Sequence, residues 1–573
     1  MSPVRRVFIP NPDPVATKQL QQQLNIHPAL AQILVQRGIT TFEAAHHFFR
    51  PQLTDLHDPF LMKDMDVAIQ RIATALQRNE SILVYGDYDV DGTTAVAVVY
   101  SFLQSIHANV GFYIPDRYSE GYGVSTQGID FAHENGYTLI IALDCGIKSI
   151  DKVAYAKEKN IDFIICDHHL PGSSLPDAVA VLDPKRNDCN YPYKDLCGCG
   201  IGFKLIQALQ QHLKLPEEKV LAYLDLVAVS IAADIVPVTG ENRVLAYYGL
   251  QQLNQHPRPG LKAIGTAAKV KPAPDGTFNF TISDLVFVFA PRINAAGRIE
   301  HGKAAVTLLT TNDYEQALQR AEGLNEVNRT RRDLDKQITE EALTLLRNDA
   351  TIEHKKSTVV YSEDWHKGVV GIVASRLIEN YYRPTIVLTR SNGVVTGSAR
   401  SVSDFDVYEA IEACSDLLIQ FGGHAFAAGL TLAPENVVAF REKFEAVVAA
   451  RIKPHQQVPE IRIDARIAVS AIDGKFFSVL QQMAPFGPGN MNPVFCTDNL
   501  TDRGWAKVVG DDHLKCDLTD GSSSGHFISA IGFRQGHHLP KLLRKEPVSV
   551  CYTLERNNWN GKSSVQMKVV DME

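Results

Sequence analysis

The feature that most constrains the fold is a short apolar run followed by acids at alternate positions. Residues 82–85 are apolar and rich in branched side chains, and after Gly92 an apolar pattern with helical spacing continues to about residue 106. This order predicts a strand, a loop and a helix. The loop holds three carboxylates within five residues: Asp87, Asp89 and Asp91. Because these charges repel one another, a bound divalent cation is the simplest explanation for the loop.

An EF-hand calcium site does not fit this loop. Counted from Asp87, the twelfth position of an EF-hand holds a bidentate Glu, and here it is Val98. A predicted strand also precedes the loop, where an EF-hand has a helix. Taken alone, the loop is compatible with two structures, a metal site or an acidic turn exposed to solvent.

Length and composition limit the class of protein. A chain of 573 residues, 45% of them hydrophobic, is long enough for several domains with separate cores. Its net charge of −8 means that a polyanionic partner must be bound by local basic patches or through metal ions. No apolar run reaches the length of a membrane span, and the first residues lack the apolar core of a signal peptide. We therefore expect a cytoplasmic protein without membrane association.

The nine cysteines are scattered along the chain, which suits a reducing compartment. Cys189, Cys197 and Cys199 form the only cluster in the sequence, but they lack a CxxC pair. Small buried residues or free thiols are therefore expected rather than zinc ligands.

Short apolar strands alternate with helical patterns from residue 81 to about residue 238, which is typical of a doubly wound, mostly parallel sheet. Three of these strands end in acids or imidazoles: Asp87 after the first, Asp144 after residues 139–143, and Asp167, His168 and His169 after residues 163–166. Since all carboxyl ends of a parallel sheet lie at one edge, these side chains are expected to converge there. Each has an alternative when taken alone, Asp144 as a helix N-cap and the histidines as surface residues.

A further candidate acid lies near the end of an apolar helix that is predicted for residues 220–235. This helix carries Asp225 and Asp234, and buried carboxylates are rare without a partner. Asp234, at the helix end, is the better candidate for an additional ligand.

Four segments of this region resemble the motifs of the DHH phosphoesterase superfamily. They are Asp89–Val90–Asp91–Gly92, Leu143–Asp144–Cys145–Gly146, Cys166–Asp167–His168–His169 and Ala232–Ala233–Asp234. In that superfamily the motifs bind two divalent metal ions, usually Mn²⁺, and the enzymes hydrolyse phosphoester or phosphoanhydride bonds. Its pyrophosphatases and small phosphodiesterases have a His four residues before the first Asp of the pair, where this chain has Tyr85. In this respect the sequence is similar to the RecJ branch, the single-strand-specific exonucleases.

The resemblance implies a 5′→3′ exonuclease that degrades single-stranded DNA to 5′-mononucleotides in DNA repair and recombination. Two Mn²⁺ or Mg²⁺ ions are the implied cofactors. Single-stranded DNA is the implied partner, and a single-strand-binding protein and a RecQ-type helicase are further expected partners. Two alternatives stay open: a small-molecule phosphodiesterase or pyrophosphatase, and a non-catalytic relative that only binds single strands.

The resemblance also assigns candidate roles to individual residues. The expected metal ligands are Asp87, Asp89, Asp91, Asp144, His168 and Asp234. The expected catalytic residues are Asp89, Asp91, His168 and His169, with His169 either a ligand or a donor to the phosphate. The expected substrate-binding residues are Arg117, Asn294, Arg298, Ser398, Arg400, Gly423 and His424. Arginines grip phosphate oxygens in pairs, and glycines let backbone amides approach a phosphate closely.

Five segments are expected along the chain. They are a helical N-terminal cap on the next domain (1–80), a DHH catalytic domain (81–305), a connecting helix (306–350), a smaller α/β DHH-associated domain that binds substrate (351–455) and a C-terminal OB-type β-barrel (456–573). Several short strands with alternating apolar residues indicate the barrel, and RecJ proteins have an OB fold at this position. A narrow cleft between the two α/β lobes is expected to exclude duplex DNA.

Overall fold

The computed structural model describes residues 4–299, 301–521, 525–559 and 562–573. They form two compact units. The larger unit contains Arg6–Ala290, Ala305–Leu318 and Arg462–Glu573, and the smaller unit contains Pro291–Ala304 and Gln319–Ile461 with the described residues before Arg6. The segment 291–304, which the sequence assigned to the catalytic domain, thus belongs to the smaller unit.

The N-terminal residues form one strand and four helices: β1 (Arg5–Phe8), α1 (Pro14–Leu24), α2 (Pro28–Gln36), α3 (Phe42–Phe49) and α4 (Met65–Gln77). Leu20 of α1 and Leu30 of α2 share one hydrophobic core with Phe495 and Tyr552 near the C-terminus. Residues 1–80 were expected to form a cap on the next domain. α4 does pack against the parallel-sheet region that follows, whereas α1 and α2 pack on the C-terminal barrel. Apolar spacing shows that a helix has a buried face, but it does not identify the partner that covers this face.

A parallel sheet of five strands lies at the centre of the larger unit, in the order β3-β2-β4-β5-β6. Its strands are β2 (Ser81–Gly86), β3 (Val110–Tyr113), β4 (Tyr137–Leu143), β5 (Asp162–Cys166) and β6 (Ala180–Leu182). Ile82, Leu83 and Val84 are all fully buried, because helices cover both faces of a parallel sheet. This burial explains why the run is continuously apolar rather than alternating.

The helices of this region are α5 (Val90–Gln104), α6 (Thr126–Glu134), α7 (Ile150–Glu158), α8 (Gly198–Leu213), α9 (Glu218–Leu221), α10 (Leu224–Ala233), α11 (Gly240–Gln255), α12 (Pro259–Ala267) and α13 (Ile282–Asp284). The single helix predicted for residues 220–235 is therefore two helices, α9 and α10. Asp225 in α10 is fully buried, and it pairs with Arg258 at 2.6 Å. This ion pair accounts for the buried carboxylate.

Three helices lead into the second α/β region: α14 (Ala290–Ile299), α15 (Lys303–Thr310) and α16 (Tyr314–Arg347). The region itself consists of β7 (Thr358–Ser362), α17 (Val370–Asn380), β8 (Thr385–Ser391), β9 (Val394–Arg400), α18 (Val407–Glu412), β10 (Leu418–His424), β11 (Ala427–Leu432) and α19 (Val437–Arg451). The strand order is β10-β11-β9-β8-β7, with only β7 and β8 parallel among these neighbours in the described chain.

The C-terminal part forms a small, mostly antiparallel barrel. A short strand, β12 (Glu460–Ile463), pairs with β1 and comes before the barrel. The barrel elements are β13 (Ala465–Arg466), α20 (Gly474–Gln482), β14 (Phe495–Asp502), β15 (Lys507–Val509), β16 (His513–Thr519), β17 (Ile528–Gly532), α21 (Leu539–Leu543), β18 (Val548–Trp559) and β19 (Lys562–Met572). The order β13-β14-β18-β19-β17-β16-β15 is closed by an additional β14–β16 pairing. The predicted fold class is confirmed: a parallel-sheet lobe, a long helix, a smaller α/β lobe and a barrel. Among the described residues, no helix combines the length and apolarity that a membrane crossing requires.

Candidate functional site

Acids and imidazoles meet at the carboxyl edge of the parallel sheet. Among the described residues, three overlapping sets have ligand atoms within 4.8 Å of one another: Asp144, His168 and His169; Asp91, His168 and Asp234; and Asp87, Asp89 and Asp144. Asp144 and His168 each belong to two sets. All six residues predicted as metal ligands therefore lie in one cluster, although up to about 150 positions separate them in the sequence.

The atoms around His168 show how tightly the cluster is packed. Its Nε2 lies 3.2 Å from Asp144 Oδ1, 3.6 Å from Asp234 Oδ2 and 3.7 Å from Asp91 Oδ2. Three carboxylates around one imidazole nitrogen exceed what a single N–H can satisfy. The arrangement is that of ligands that surround a shared position.

Several buried atoms of the cluster test whether a metal ion fits. Within the described chain, Asp87 Oδ1, Asp144 Oδ1, His168 Nδ1 and Asp234 Oδ2 are buried without a hydrogen-bond partner. Asp144 Oδ1 is near His168 Nε2 but lacks hydrogen-bond geometry. A buried carboxylate oxygen without a partner is costly, and a cation removes this cost. A mixed set of carboxylate oxygens and imidazole nitrogens suits Mn²⁺, and its many oxygens also suit Mg²⁺.

Electrostatics lead to the same conclusion. Burial raises the pKa of Asp144 well above its ordinary value, and the neighbouring carboxylates of Asp91 and Asp89 raise it further. Burial likewise raises the pKa of Asp87 well above its usual range, and that of Asp234 to about 9. These carboxyl groups become stable anions at neutral pH when a cation lies among them.

Two residues of this edge have left-handed backbone. Asp144 has φ +59°, a conformation that Asp tolerates better than most residues. Ile235, directly after Asp234, has φ +60°, which is unfavourable for a β-branched side chain. Such strain concentrates at functional sites, where it fixes a side-chain direction. The two left-handed residues are thus one predicted ligand, Asp144, and the residue that follows another, Asp234.

Both carboxylate oxygens of Asp167 accept hydrogen bonds, and one of them holds His169. Its Oδ1 lies 2.7 Å from His169 Nδ1 and accepts hydrogen bonds from the backbone amides of His168 and His169, while Oδ2 accepts from Ile147 N at 2.9 Å. Burial acts against both charged forms, but this contact lowers the pKa of Asp167 and raises that of His169. The other ring nitrogen, Nε2, lies 3.2 Å from Tyr122 Oη. His169 is thus held through Nδ1, and Nε2 can donate when the ring carries both protons.

Sequence reasoning missed four residues of this edge. Gly198, Cys199 and Ser230 hydrogen-bond the Asp91 carboxylate, and no spacing pattern marks them. Asp183 follows β6, is fully buried, and burial raises its pKa to about 7. The apolar run 178–182 before Asp183 was the available signal, since a fourth parallel strand ends at the same edge. Of the cysteine cluster, all three members are buried free thiols.

Arg117 lies in the loop after β3, at this edge of the sheet. Its guanidinium carbon is 5.0 Å from the centre of the Tyr88 ring, and the Tyr88 ring meets Tyr122 edge to face. Tyr122 is 59% exposed. A cation and two aromatic rings therefore border the acidic cluster.

A second group of predicted residues lies on one face of the smaller unit's sheet. Arg400 of β9 is paired with Ala427 of β11, which is paired with His424 of β10, and Ser398 occupies the next position on the same face of β9. The start of α17 lies against this face: a Cβ added to Gly371 would be 2.9 Å from both Ser398 Oγ and Arg400 Nη2. α17 begins without a side-chain cap hydrogen bond. A helix start with a hydroxyl, a guanidinium and an imidazole is suited to a phosphate.

Gly423 has a structural requirement in this group. Its φ is +143°, and a Cβ there would lie 2.4 Å from Ala427 O. The residue next to His424 must therefore be glycine for β10 and β11 to pair.

The remaining predicted residues, Asn294 and Arg298, lie one turn apart on α14. Arg298 Nη1 donates to Gly368 O at 2.9 Å, which ties α14 to the loop before α17. Arg292 on the same helix donates to Asn325 Oδ1 at 3.0 Å. The structure therefore groups α14 with the loop that leads into α17.

Three protein families match successive segments of this chain. Residues 81–231 match the DHH family, N-terminal domain, residues 354–450 match the DHHA1 domain, and residues 463–571 match the RecJ OB domain. The matches follow the order of the parallel-sheet lobe, the smaller α/β lobe and the barrel.

Relatives cover nearly the whole chain. The single-stranded-DNA-specific exonuclease RecJ of Bacillus subtilis is 36% identical over 566 residues, which is 98% of this chain and 70% of that protein. The protein of the same name from Escherichia coli is 30% identical over 94% of this chain and 95% of its own length. The crystal structure of RecJ with Mn²⁺ from Thermus thermophilus superposes with a TM-score of 0.84 at 27% identity, over 100% of this chain and 79% of that chain. The Mg²⁺ complex from the same source gives a TM-score of 0.78 at 26% identity, over 99% and 78% of the two chains. These similarities show that the chain belongs to the RecJ family of the DHH superfamily.

Proposed function

We propose that the chain is a metal-dependent exonuclease that is specific for single-stranded DNA and releases 5′-mononucleotides in the 5′→3′ direction. Relatives from several bacteria carry the name single-stranded-DNA-specific exonuclease. The observation that carries the proposal is the cluster of acids and imidazoles at the sheet edge, with its buried, unpartnered oxygens. Hydrolysis of a phosphodiester needs such a site because charge must be neutralised on the phosphate.

The proposed metal ligands fall into two groups. One contains Asp91, His168 and Asp234, and the other contains Asp87, Asp89 and Asp144. Asp144 also forms a set with His168, and it is therefore proposed to serve both groups. Mn²⁺ and Mg²⁺ are the proposed ions, since structures of the Thermus thermophilus RecJ contain them. When bound, two such ions polarise the scissile phosphate, lower the pKa of water and stabilise the leaving oxygen.

His169 is the proposed phosphate donor. Asp167 accepts from Nδ1 at 2.7 Å and raises the pKa of His169 against the effect of burial, which favours the doubly protonated ring that carries an N–H on Nε2. An N–H at this position can donate to a phosphate oxygen in the transition state. Arg117, beside the Tyr88 ring, is proposed to bind the backbone of the strand.

The donor face of the smaller unit is proposed to bind a terminal phosphate. Ser398, Arg400 and His424 supply a hydroxyl, a guanidinium and an imidazole beside the start of α17. All are hydrogen-bond donors or cations, and a terminal phosphate carries more charge than an internal one. Gly423 shapes this face, and Asn294 and Arg298 on α14 are proposed to contact the strand nearby. Recognition of a 5′-phosphate would set the direction of degradation.

The barrel is proposed to bind single-stranded DNA. Lys507, Lys515 and Lys568 lie in one cross-strand row of exposed side chains, connected through Ile531. Large exposed aromatic side chains flank the barrel: Trp505, Phe527 and Phe533. Single-strand-binding barrels combine a basic path for the backbone with aromatic rings on which bases stack.

We also propose a role in DNA repair and recombination in the cytoplasm, with a single-strand-binding protein and a RecQ-type helicase as partners. DNA as the substrate and nine free cysteines support this location. Co-purification with each partner from cell extract, in the presence of nuclease to remove bridging DNA, is the direct check.

The function is tested with a single-stranded oligonucleotide that carries a label at either end, in Mn²⁺. We expect stepwise release of mononucleotides from the 5′ end, no degradation of the blunt duplex, and loss of activity in Asp91→Ala. The exposed Asp151→Asn is the matched control and should retain activity. Equal degradation of strand and duplex would contradict the specificity. Preferential hydrolysis of a cyclic dinucleotide would favour a small-molecule phosphodiesterase, and strand binding without mononucleotide release would favour a non-catalytic relative.

A further inference from the structure

We infer that Ser230 is a positioning residue. Together with the first turn of α8, it occupies the Asp91 carboxylate with hydrogen bonds so that only one lone pair, on Oδ2, is left to bind a metal ion. The inference rests on the proposed function, because it concerns a ligand of the catalytic metal site. It assigns a role to a serine and a helix start that lie far from Asp91 in the sequence.

Three donors hold the Asp91 carboxylate. Gly198 N donates to Oδ2 at 2.6 Å, Cys199 N donates to Oδ1 at 2.7 Å, and Ser230 Oγ donates to Oδ1 at 2.5 Å. Asp91 is 2% exposed and Ser230 is fully buried. The two amides belong to the first turn of α8, where the helix dipole is positive and favours a carboxylate. Both oxygens of Asp91 are therefore fixed by groups of the protein itself.

The lone pairs of the Asp91 oxygens that accept no hydrogen bond determine how Asp91 can bind a cation. A carboxylate oxygen accepts at about two positions. Oδ1 of Asp91 has both positions filled, by Cys199 and Ser230, and Oδ2 has one filled, by Gly198. The open position of Oδ2 is on the oxygen that lies 3.7 Å from His168 Nε2. Asp91 can thus bind one ion through one oxygen, in the set with His168 and Asp234.

Asp144 provides the contrast within the same cluster. Its Oδ1 has no hydrogen-bond partner in the described chain, and Asp144 belongs to two ligand sets. It can therefore contact two ions, whereas Asp91 is restricted to one. The difference comes from the surrounding donors and not from the residue type.

Cys197 supports the orientation of Ser230. Ser230 Oγ has two acceptors within reach, Asp91 Oδ1 at 2.5 Å and Cys197 Sγ at 3.0 Å. Its single hydrogen goes to the closer, charged carboxylate oxygen. Cys197 Sγ in turn accepts from Gly200 N at 3.2 Å, so the thiol lies in a fixed position beside the hydroxyl and limits the serine rotamer.

Gly198 gives the first turn of α8 a second contact with the cluster. A Cβ at this position would lie 2.6 Å from Asp144 Cβ and 2.9 Å from Asp144 Oδ1. The turn can donate to Asp91 and pass Asp144 only if this residue is glycine. Gly200, on the same turn, has room, because its Cβ would meet nothing closer than 3.4 Å. The two glycines form a matched pair for substitution by alanine.

The test measures Mn²⁺ binding to the DNA-free protein by electron paramagnetic resonance of free Mn²⁺. We expect Ser230→Ala to weaken one Mn²⁺ site about 10-fold, the usual effect of removing a hydrogen bond to a ligand. Ser230→Thr, which keeps the hydroxyl, should restore binding. Strand cleavage by Ser230→Ala should need more Mn²⁺ for half-maximal rate, while the rate at saturating Mn²⁺ recovers. A role in folding alone would not produce this separation.

Ser357→Ala is the control, because Ser357 is also a buried serine whose Oγ donates to a carboxylate, Glu445, at 2.5 Å. It should lower the melting temperature without changing Mn²⁺ affinity. Gly198→Ala should weaken Mn²⁺ binding, and Gly200→Ala should not. Melting in EDTA verifies that each variant folds, and if Gly198→Ala does not fold, the serine variants decide.

Wild-type Mn²⁺ affinity in Ser230→Ala, or equal weakening in Ser357→Ala, would overturn the inference. A wild-type protein that binds Mn²⁺ but does not degrade single strands would instead overturn the proposed function. In that case a selective loss of Mn²⁺ in Ser230→Ala would still support the role of Ser230.

Discussion

The two proposed binding regions use the same structural device, a helix start, in opposite ways. In the larger unit the start of α8 donates to the carboxylate of Asp91, so the protein supplies the anion itself. In the smaller unit the start of α17 lies against Ser398 and Arg400 and has no side-chain cap. A helix start that binds a carboxylate fixes a metal ligand, whereas one bordered by donors attracts a phosphate. The neighbouring side chains, and not the helix, decide which ligand class is bound.

The strongest test of the acidic region is Asp144→Ala, because Asp144 belongs to two ligand sets. Loss of a ligand shared by both ions removes several kcal/mol of transition-state stabilisation, so we expect mononucleotide release to fall by at least about 1,000-fold. The rate is measured at saturating Mn²⁺. Asp151→Ala, which removes an exposed acid from α7, should keep the wild-type rate. A fall of less than tenfold in Asp144→Ala would contradict the assignment of the metal site to the acidic region.

The donor region is tested by Arg400→Ala. A charge-assisted hydrogen bond is worth about 1.5–3 kcal/mol, so kcat/KM for a 5′-phosphorylated strand should fall about 10–100-fold. Strands with a 5′-hydroxyl should lose much less. Arg390→Ala, an exposed arginine on β8 of the same sheet, is the control. Equal losses on both kinds of strand would assign Arg400 to the internal backbone instead of the terminal phosphate.

The lysine row of the barrel contributes a smaller, salt-dependent effect. Lys515→Ala should weaken single-strand binding a few-fold at low salt, and it should reduce the slope of log affinity against log salt by about 0.7. Fluorescence anisotropy in Ca²⁺, at several salt concentrations, measures both quantities. Lys475→Ala removes an exposed lysine from α20 outside the row and should leave the slope unchanged. Identical slopes for the two variants would remove the row from the binding path.

Asp183 offers a test of the acidic edge without metal or DNA. Burial raises its pKa to about 7 in the folded protein, above the value of about 3.9 of an unperturbed Asp. The folded state therefore binds more protons between these values, and stability from this group falls as pH rises from about 4 to about 7. Asp183→Asn should raise the melting temperature in EDTA by a few degrees at pH 8, and by less at pH 5.

The exposed Asp177→Asn is the control for Asp183, and it should follow the wild type at both pH values. A stabilisation by Asp183→Asn that is the same at pH 5 and pH 8 would show that Asp183 carries no charge penalty. Asp183 would then not belong among the buried acids whose charge is unfavourable without a cation.

Much of the acidic region was predictable from the sequence. Parallel strands end at one edge, so Asp87, Asp144 and His168 could be brought together from the positions of their strands alone. Asp234 could be proposed because a buried carboxylate at the end of an apolar helix needs a partner, and the family resemblance then supported it. The fold class followed from alternating strand and helix patterns and from the short strands of the C-terminal segment.

Contacts between distant elements were not predictable. Ser230 lies inside an apolar helix, and its contact with Asp91 depends on how α10 packs beside α5 and α8. Gly198 looks like any helix-start glycine until the position of Asp144 is known. The break between α9 and α10 was missed because apolar residues continue through it. Periodicity records that a face is buried, whereas these contacts depend on which surfaces meet.

The core shared by α1, α2 and the barrel joins elements that are far apart in the sequence. Leu30 and Phe495 lie in one hydrophobic cluster, separated by more than 450 residues of sequence. During synthesis on the ribosome, the apolar faces of α1 and α2 stay uncovered until the barrel strands more than 450 residues later have been made. We therefore expect this core to close late in folding and its helices to be prone to aggregation until it does.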